Sequence, residues 1–210
     1  MVKDIDIRMA TAQQILALFR SDARVRSVYL RGSLSQARVD EYSDIDIGID
    51  VSGFDNAAYC QTIISTMSRA FALHFHDWAC SLMPHSYVLT FYIKGLPIFW
   101  NVDFECIATP HHATLTRRSV ERDSVSGFLK VWVLNAKYLL RKTPGIENQI
   151  MDFGRRALSV GELHDVGAVD VMGLVLTHLR TNAHPRHREF IRLCHHVYEG
   201  QLLPLARQGK

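Results

Sequence analysis

The spacing of apolar and polar residues changes near the middle of the chain. Up to about residue 106, short period-two runs alternate with helical stretches. From about 118 to the end the period is helical throughout. Thr11 opens a T-x-x-Q capping signature, and Ile15, Leu16, Leu18 and Phe19 give the helix that follows an apolar face. Strands are expected over 24–30 (RVRSVYL), 45–51 (IDIGIDV), 86–93 (SYVLTFYI) and 97–107 (PIFWNVDFECI), with a further strand within 74–82. A helix is expected over 56–72. In the second half Val125, Phe128, Leu129, Trp132, Ala136, Leu139 and Leu140 share one helical face, and Thr143-Pro144-Gly145 ends it. Helical patterns follow at 147–158, 166–180 and 185–203. The fold class is therefore α+β: a mixed sheet with flanking helices over 1–110, then a helical bundle over 111–210.

Composition narrows the function classes. With 48% hydrophobic and 21% charged residues, the 210-residue chain reads as globular rather than disordered. A formal net charge of +3 lacks the basic balance of a dedicated nucleic-acid binder and argues against a nucleic-acid partner. Cys60, Cys80, Cys106 and Cys194 are scattered without a CxxC pair, which suits reduced thiols in the cytoplasm. No signal-peptide core and no apolar run of membrane-spanning length is visible, so a soluble cytoplasmic protein with no membrane partner is expected.

The stretch RGSLSQARVDEYSDIDIGIDV, residues 31–51, carries the chemistry. Asp44 and Asp46 lie two apart on a strand, so both carboxylates leave one face while Ile45 and Ile47 point into a core. Neighbouring acids repel, and a divalent cation would offset that cost. Mg²⁺ favours one or two carboxylates with phosphate oxygens and water. Gly32-Ser33 ends the preceding strand at a turn where backbone amides and a hydroxyl could cradle phosphates. The segment LSQARVDEYS between them is long enough for a short helical turn. Arg31 is a candidate for neutralising a triphosphate.

A third acid is expected if a nucleophile must be deprotonated or a second metal held. Asp103 is the candidate, on the polar face of its strand with Asn101 and Glu105. Glu105 is the obvious competitor and Asp77 a weaker one. Asp40 and Glu41 read as a solvated turn, and Asp50 as a surface acid near a strand end. The pairs His74/His76, His111-His112 and His195-His196 lack the spacing of a zinc site. The Arg- and His-rich segment 180–196 reads as a solvated helix face, with an anion-binding wall for phosphate or RNA as its functional alternative. Trp132 reads as core, with Tyr138 beside it as a possible pocket wall, and Lys130 and Lys137 read as a solvated face.

Leu30-Arg31-Gly32-Ser33, then Asp44-Ile45-Asp46-Ile47, then Asp103 resembles the signature of the DNA polymerase β-like nucleotidyltransferases. The match covers about residues 25–106. The helical second half makes the chain look like the small-molecule branch, which includes aminoglycoside and lincosamide nucleotidyltransferases. The resemblance implies a polymerase β-like fold with the active site in a cleft beside a helical domain. It implies Asp44, Asp46 and Asp103 as catalytic and metal-binding residues, and Arg31, Gly32 and Ser33 as nucleotide-binding ones. It also implies Mg²⁺ as cofactor, ATP or another nucleoside triphosphate as substrate, and a small-molecule hydroxyl, such as that of an antibiotic, as acceptor. A nucleotidyltransferase acting on RNA or protein, and a non-catalytic nucleotide-binding or toxin–antitoxin component, are the alternatives. Monomer and homodimer are equally compatible with the sequence.

Overall fold

The computed structural model describes residues 2–36, 38–163 and 166–208. The chain divides into two compact units, Met1–Arg122 and Asp123–Lys210. The first opens with α1 (Val2–Arg20), followed by β1 (Ser27–Leu30), α2 (Gly32–Ser35), β2 (Ile45–Asp50), α3 (Asn56–Ala70), β3 (Leu73–Trp78), β4 (Tyr87–Ile93) and β5 (Val102–Ile107).

The five strands form one mixed sheet in the order β1-β2-β5-β4-β3. β2 and β5 are parallel neighbours at its centre, and every other pairing is antiparallel. Strand alternation sorts the side chains onto two faces. Ile45, Ile47, Ile49, Leu89, Phe91, Val102 and Phe104 go to one face and are buried. They join the apolar stripe of α1 (Ala12, Ile15, Leu16, Phe19) and that of α3 (Ala57, Cys60, Ile63, Met67) in a single core. Each such side chain, fully withdrawn from water, contributes about 1.5–3 kcal/mol. The opposite face keeps the acids Asp46, Asp50, Asp103 and Glu105 only partly buried. The core thus fixes the strand register, and the register in turn places the acids.

Three expected boundaries are corrected. α1 already runs from Val2, and Thr11 lies in its interior, where its hydroxyl donates to the Ile7 carbonyl at 2.9 Å instead of capping a start. β1 begins at Ser27, because Asp22 and Arg24 form a turn in which the Arg24 amide donates to Asp22 Oδ1 at 3.0 Å. β5 begins at Val102, because 97–100 turn back with Trp100 N–H donating to Pro97 O at 2.9 Å. α3 is capped as its sequence suggests, the Asp55 carboxylate accepting from Ala58 N–H at 3.0 Å.

The second unit is helical: α4 (Ser124–Leu140), α5 (Ile146–Leu158), α6 (Ala168–Asn182), a 3-10 turn at Pro185–His187, α7 (Arg188–Val197), a π turn at Tyr198–Leu202, and α8 (Leu203–Gln208). Trp132 is core, its indole N–H donating to Met172 O at 3.0 Å. Lys137, expected on a solvated face, is instead buried at 2% exposure, because α4 is apolar over more than one stripe. His187, within the segment expected to be solvated, is also buried. It helps bind the α4 N-cap, with Nε2 2.6 Å from Asp123 Oδ2. Arg186 pairs with the same oxygen at 3.0 Å, and Ser126 Oγ donates to it at 2.7 Å. Burial alone would raise the Asp123 carboxyl. The hydrogen bonds from Ser126 and Arg186 and the nearby His187 bring it down to about 2.

Candidate active site

The carboxylate face of the sheet is assembled by strand pairing. Asp46 on β2 lies directly opposite Asp103 on β5, and the row continues through Thr90 on β4 to Asp77 on β3. Asp44 lies just before β2, within reach of β5: the Asn101 side-chain amide donates to Asp44 Oδ2 at 3.4 Å, and Ile45 N–H donates to Asn101 O at 2.9 Å. Asp46 and Asp103 therefore occupy opposed points of two parallel strands, and Asp44, 59 positions before Asp103, sits at the entry to β2 beside them. Asp77, the weaker competitor, is at the far end of that row, on the edge strand.

The Gly32 turn closes on the same place. Its φ is +58°, in the left-handed region, and a Cβ built there would overlap Asp46 Oδ2. Only glycine allows the backbone to approach the carboxylate this closely. Arg31 N–H donates to Asp46 O at 2.8 Å, which fixes the turn to β2. α2 then starts at Gly32, and Ser33 O accepts from Gln36 and Arg38 N–H at 3.2 and 3.0 Å. Along β2, Gly48 lies under the ring of Tyr29, which would be struck by any added Cβ. A half-exposed aromatic ring thus sits one row from the Asp46–Asp103 pair.

Residues that periodicity does not single out hold this arrangement. Arg8 of α1 is 1% exposed and donates to Asp40 O at 2.7 Å and Ser43 O at 3.1 Å. Its guanidinium lies 4.6 Å from the centroid of the Trp100 ring, whose indole N–H donates to Glu41 O at 3.1 Å. Asp40 itself builds a local turn, with Oδ1 accepting from Tyr42 N–H at 3.0 Å and Ser43 Oγ at 2.7 Å. The loop that delivers Asp44 is therefore tied down from α1 and from the turn that precedes β5. Burial lowers the Arg8 pKa, opposed by Asp4, Asp40 and Asp44.

The remaining sequence candidates have definite places. Arg31 forms an ion pair with Glu105, and Ser86 Oγ donates to the other Glu105 oxygen at 3.0 Å. Asp50 accepts from Ser52 N–H and Oγ at 2.8 and 2.6 Å, a turn contact at the strand end. His111 and His112 stitch the segment after β5 to the buried Asn56: His111 Nδ1 is 3.0 Å from Asn56 Nδ2, and His112 N–H donates to Asn56 Oδ1 at 3.0 Å. A cavity of about 950 Å³ in the second unit, bordered by Leu139, Lys142, Ile146, Val169 and Leu205, includes none of the expected site residues.

Among the described residues no three His, Cys, Asp or Glu side chains form a ready-made metal cluster. The donor set is nevertheless suited to Mg²⁺ arriving with phosphate oxygens, because such a site requires only one or two protein carboxylates. Asp46 supplies one beside the glycine cradle, and Asp44 is within two residues of it. The Gly32 backbone lies directly against that same carboxylate.

No family model matches the chain, and no curated protein matches it. Among solved structures it is similar to Cid1, studied for its RNA terminal uridylyl transferase activity, at 16% identity and TM-score 0.41, over 88% of this chain and 48% of that one. It is also similar to the polymerase core of TRAMP, an RNA surveillance complex, at 15% identity and TM-score 0.40, over 90% of this chain and 56% of that one. The chain spans about half the length of these two structures.

Proposed function

We propose that the chain transfers a nucleoside monophosphate, AMP from ATP, to a hydroxyl of a small molecule and releases pyrophosphate. The observation that carries this reading is the joint at Gly32: a left-handed glycine against the Asp46 carboxylate, with Asp103 opposite in register. On this reading the joint would set a phosphate-binding turn, a cation-binding acid and a candidate base side by side, and solvated acids on an edge strand would not require it.

In this reading Gly32 and Ser33 hold the β- and γ-phosphates through backbone N–H groups and a hydroxyl. Asp44 and Asp46 hold Mg²⁺, which when bound polarises the α-phosphate and offsets charge on the departing pyrophosphate. Asp103 completes that set or takes the proton of the acceptor hydroxyl as it attacks in line. Arg31 adds positive charge at the turn. Asn101, donating to Asp44, keeps that carboxylate turned toward β5.

An RNA acceptor is the second reading. It is favoured by the exposed Arg180, Arg188 and Arg192 on α6 and α7, a basic face that could follow a phosphate backbone. The test is pyrophosphate release from each of the four nucleoside triphosphates with Mg²⁺, in the presence of aminoglycosides, lincosamides or bulk tRNA. Release that depends on one small molecule supports the first reading, and release that depends on tRNA moves the assignment to the second. Mg²⁺-dependent ATP binding without release under any condition would favour a non-catalytic nucleotide-binding protein.

A further inference from the structure

Both oxygens of the Glu105 carboxylate are already engaged. Arg31 Nη1 pairs with Oε2, and Ser86 Oγ donates to Oε1 at 3.0 Å. Arg31 is also the residue before Gly32, and its own amide donates to Asp46 O. The guanidinium is thus tied to β5 while its backbone, just before the Gly32 turn, is tied to β2. We infer that Glu105 is not a third acid but a positioning residue, which orients Arg31 for the triphosphate of the bound nucleotide. The inference rests on the nucleotidyl-transfer reading and names a residue role within it.

Three physical points support it. A guanidinium has five donors in a planar fork, so pairing through Nη1 leaves others to meet phosphate oxygens. The Arg31 side chain is 40% exposed, so those donors remain within reach of a ligand. An ion pair this exposed contributes little to folding. Its effect lies in holding a long side chain in one orientation before the ligand arrives, which removes an ordering cost from binding. Asp103, one pleat repeat from Glu105 and opposite Asp46, is left as the acid nearest the chemistry.

The test is a double-mutant cycle with Arg31→Gln, Glu105→Gln and the pair combined. It is read by calorimetric binding of Mg²⁺-ATP and of Mg²⁺-tripolyphosphate, and by KM and kcat. Glu105→Gln is expected to weaken both ligands and raise KM about tenfold, with kcat changed by less than about threefold, as for a lost charge-assisted contact acting at the binding step. Ser86→Ala, which keeps the ion pair, should weaken them in the same direction by about threefold or less. In the Arg31→Gln background, adding Glu105→Gln should change nothing further, because Glu105 acts through Arg31. A loss of kcat of about 100-fold with unchanged binding would overturn the inference and make Glu105 part of the chemistry. Tighter binding in Glu105→Gln, or independent effects in the double variant, would also overturn it. If the wild type binds neither ligand, the nucleotidyl reading itself fails. If it binds both and Glu105→Gln matches it, only the role of Glu105 fails.

Discussion

Replacing Gly32 by alanine separates a site built for close approach from a turn that merely happens to contain glycine. Two costs follow from the structure. The left-handed φ of +58° costs a non-glycine residue about 1–2 kcal/mol. The new methyl would occupy the position of Asp46 Oδ2, so either the carboxylate rotates away or the turn retreats from β2. Gly32 and Ser33 are not themselves in the core, which is reached from α2 only through Leu34, so unfolding free energy should fall by no more than about 1–3 kcal/mol. Activity should suffer far more, since a displacement of about 1 Å at a reacting centre can cost about 100-fold. Gly48→Ala is the internal control. Its backbone is unstrained, and the obstacle is the ring of Tyr29, a side chain that is 40% exposed and free to swing outward. Urea denaturation and pyrophosphate release would be measured on both variants. Gly32→Ala with transfer within about tenfold of wild type, or a Gly48→Ala defect of equal size, would refute the argument.

Three further outcomes are expected. Asp44→Asn or Asp46→Asn should abolish transfer while leaving denaturation midpoints at or above wild type, since removing one of two neighbouring charges relieves repulsion; wild-type turnover in either would contradict the metal assignment. Asp103→Asn should lower kcat much more than it weakens Mg²⁺-ATP binding, and equal losses in calorimetry and kinetics would make it a ligand rather than a base. Arg8→Met should cost about 2–4 kcal/mol in urea denaturation, because the Asp40 and Ser43 carbonyls lose a buried charged donor, and should impair transfer by loosening the loop before Asp44; a loss below about 0.5 kcal/mol would refute that role.

Stability should also fall on the acid side. Burial lowers the pKa of His76, His187 and His195, opposed in each case by a nearby acid. Each therefore stays neutral in the folded chain below the ordinary value of 6.5, where the unfolded chain takes up the proton. Their contribution is fully present above 6.5 and is lost as pH falls below it. Asp123, lowered to about 2, loses its own contribution only below 3.8. Denaturant midpoints between pH 8 and pH 5 would check this, and a His187→Gln variant should show a shallower slope. Equal slopes in wild type and variant would count against the assignment of His187.

How much the sequence reveals depends on the range of the contacts. β2 is legible because its alternation of isoleucine and aspartate requires one buried face, and α3 because its cap and apolar stripe are local. The Asp44, Asp46 and Asp103 set is legible through strand parity, since each acid sits out of phase with an apolar core position. The start of α1 is not, because the charged residues between Val2 and Ala10 obscure the helical period, and Thr11 imitates a cap. Arg8 gives no local signal either, for its partners Asp40, Ser43 and Trp100 are reached only through the tertiary fold. The pairing of Arg31 with Glu105 is hidden for the same reason: it depends on β2 lying between β1 and β5, which no spacing in the chain encodes.

The central claim is tested most directly by following label. ATP labelled at the α-phosphorus and, separately, at the γ-phosphorus would be incubated with Mg²⁺, the acceptors named above, and wild-type or Asp46→Asn protein. The account predicts that α-label moves to the acceptor, γ-label leaves only as pyrophosphate, and both events vanish in Asp46→Asn. Transfer of γ-label to the acceptor, or α-label transfer that survives in Asp46→Asn, would contradict it.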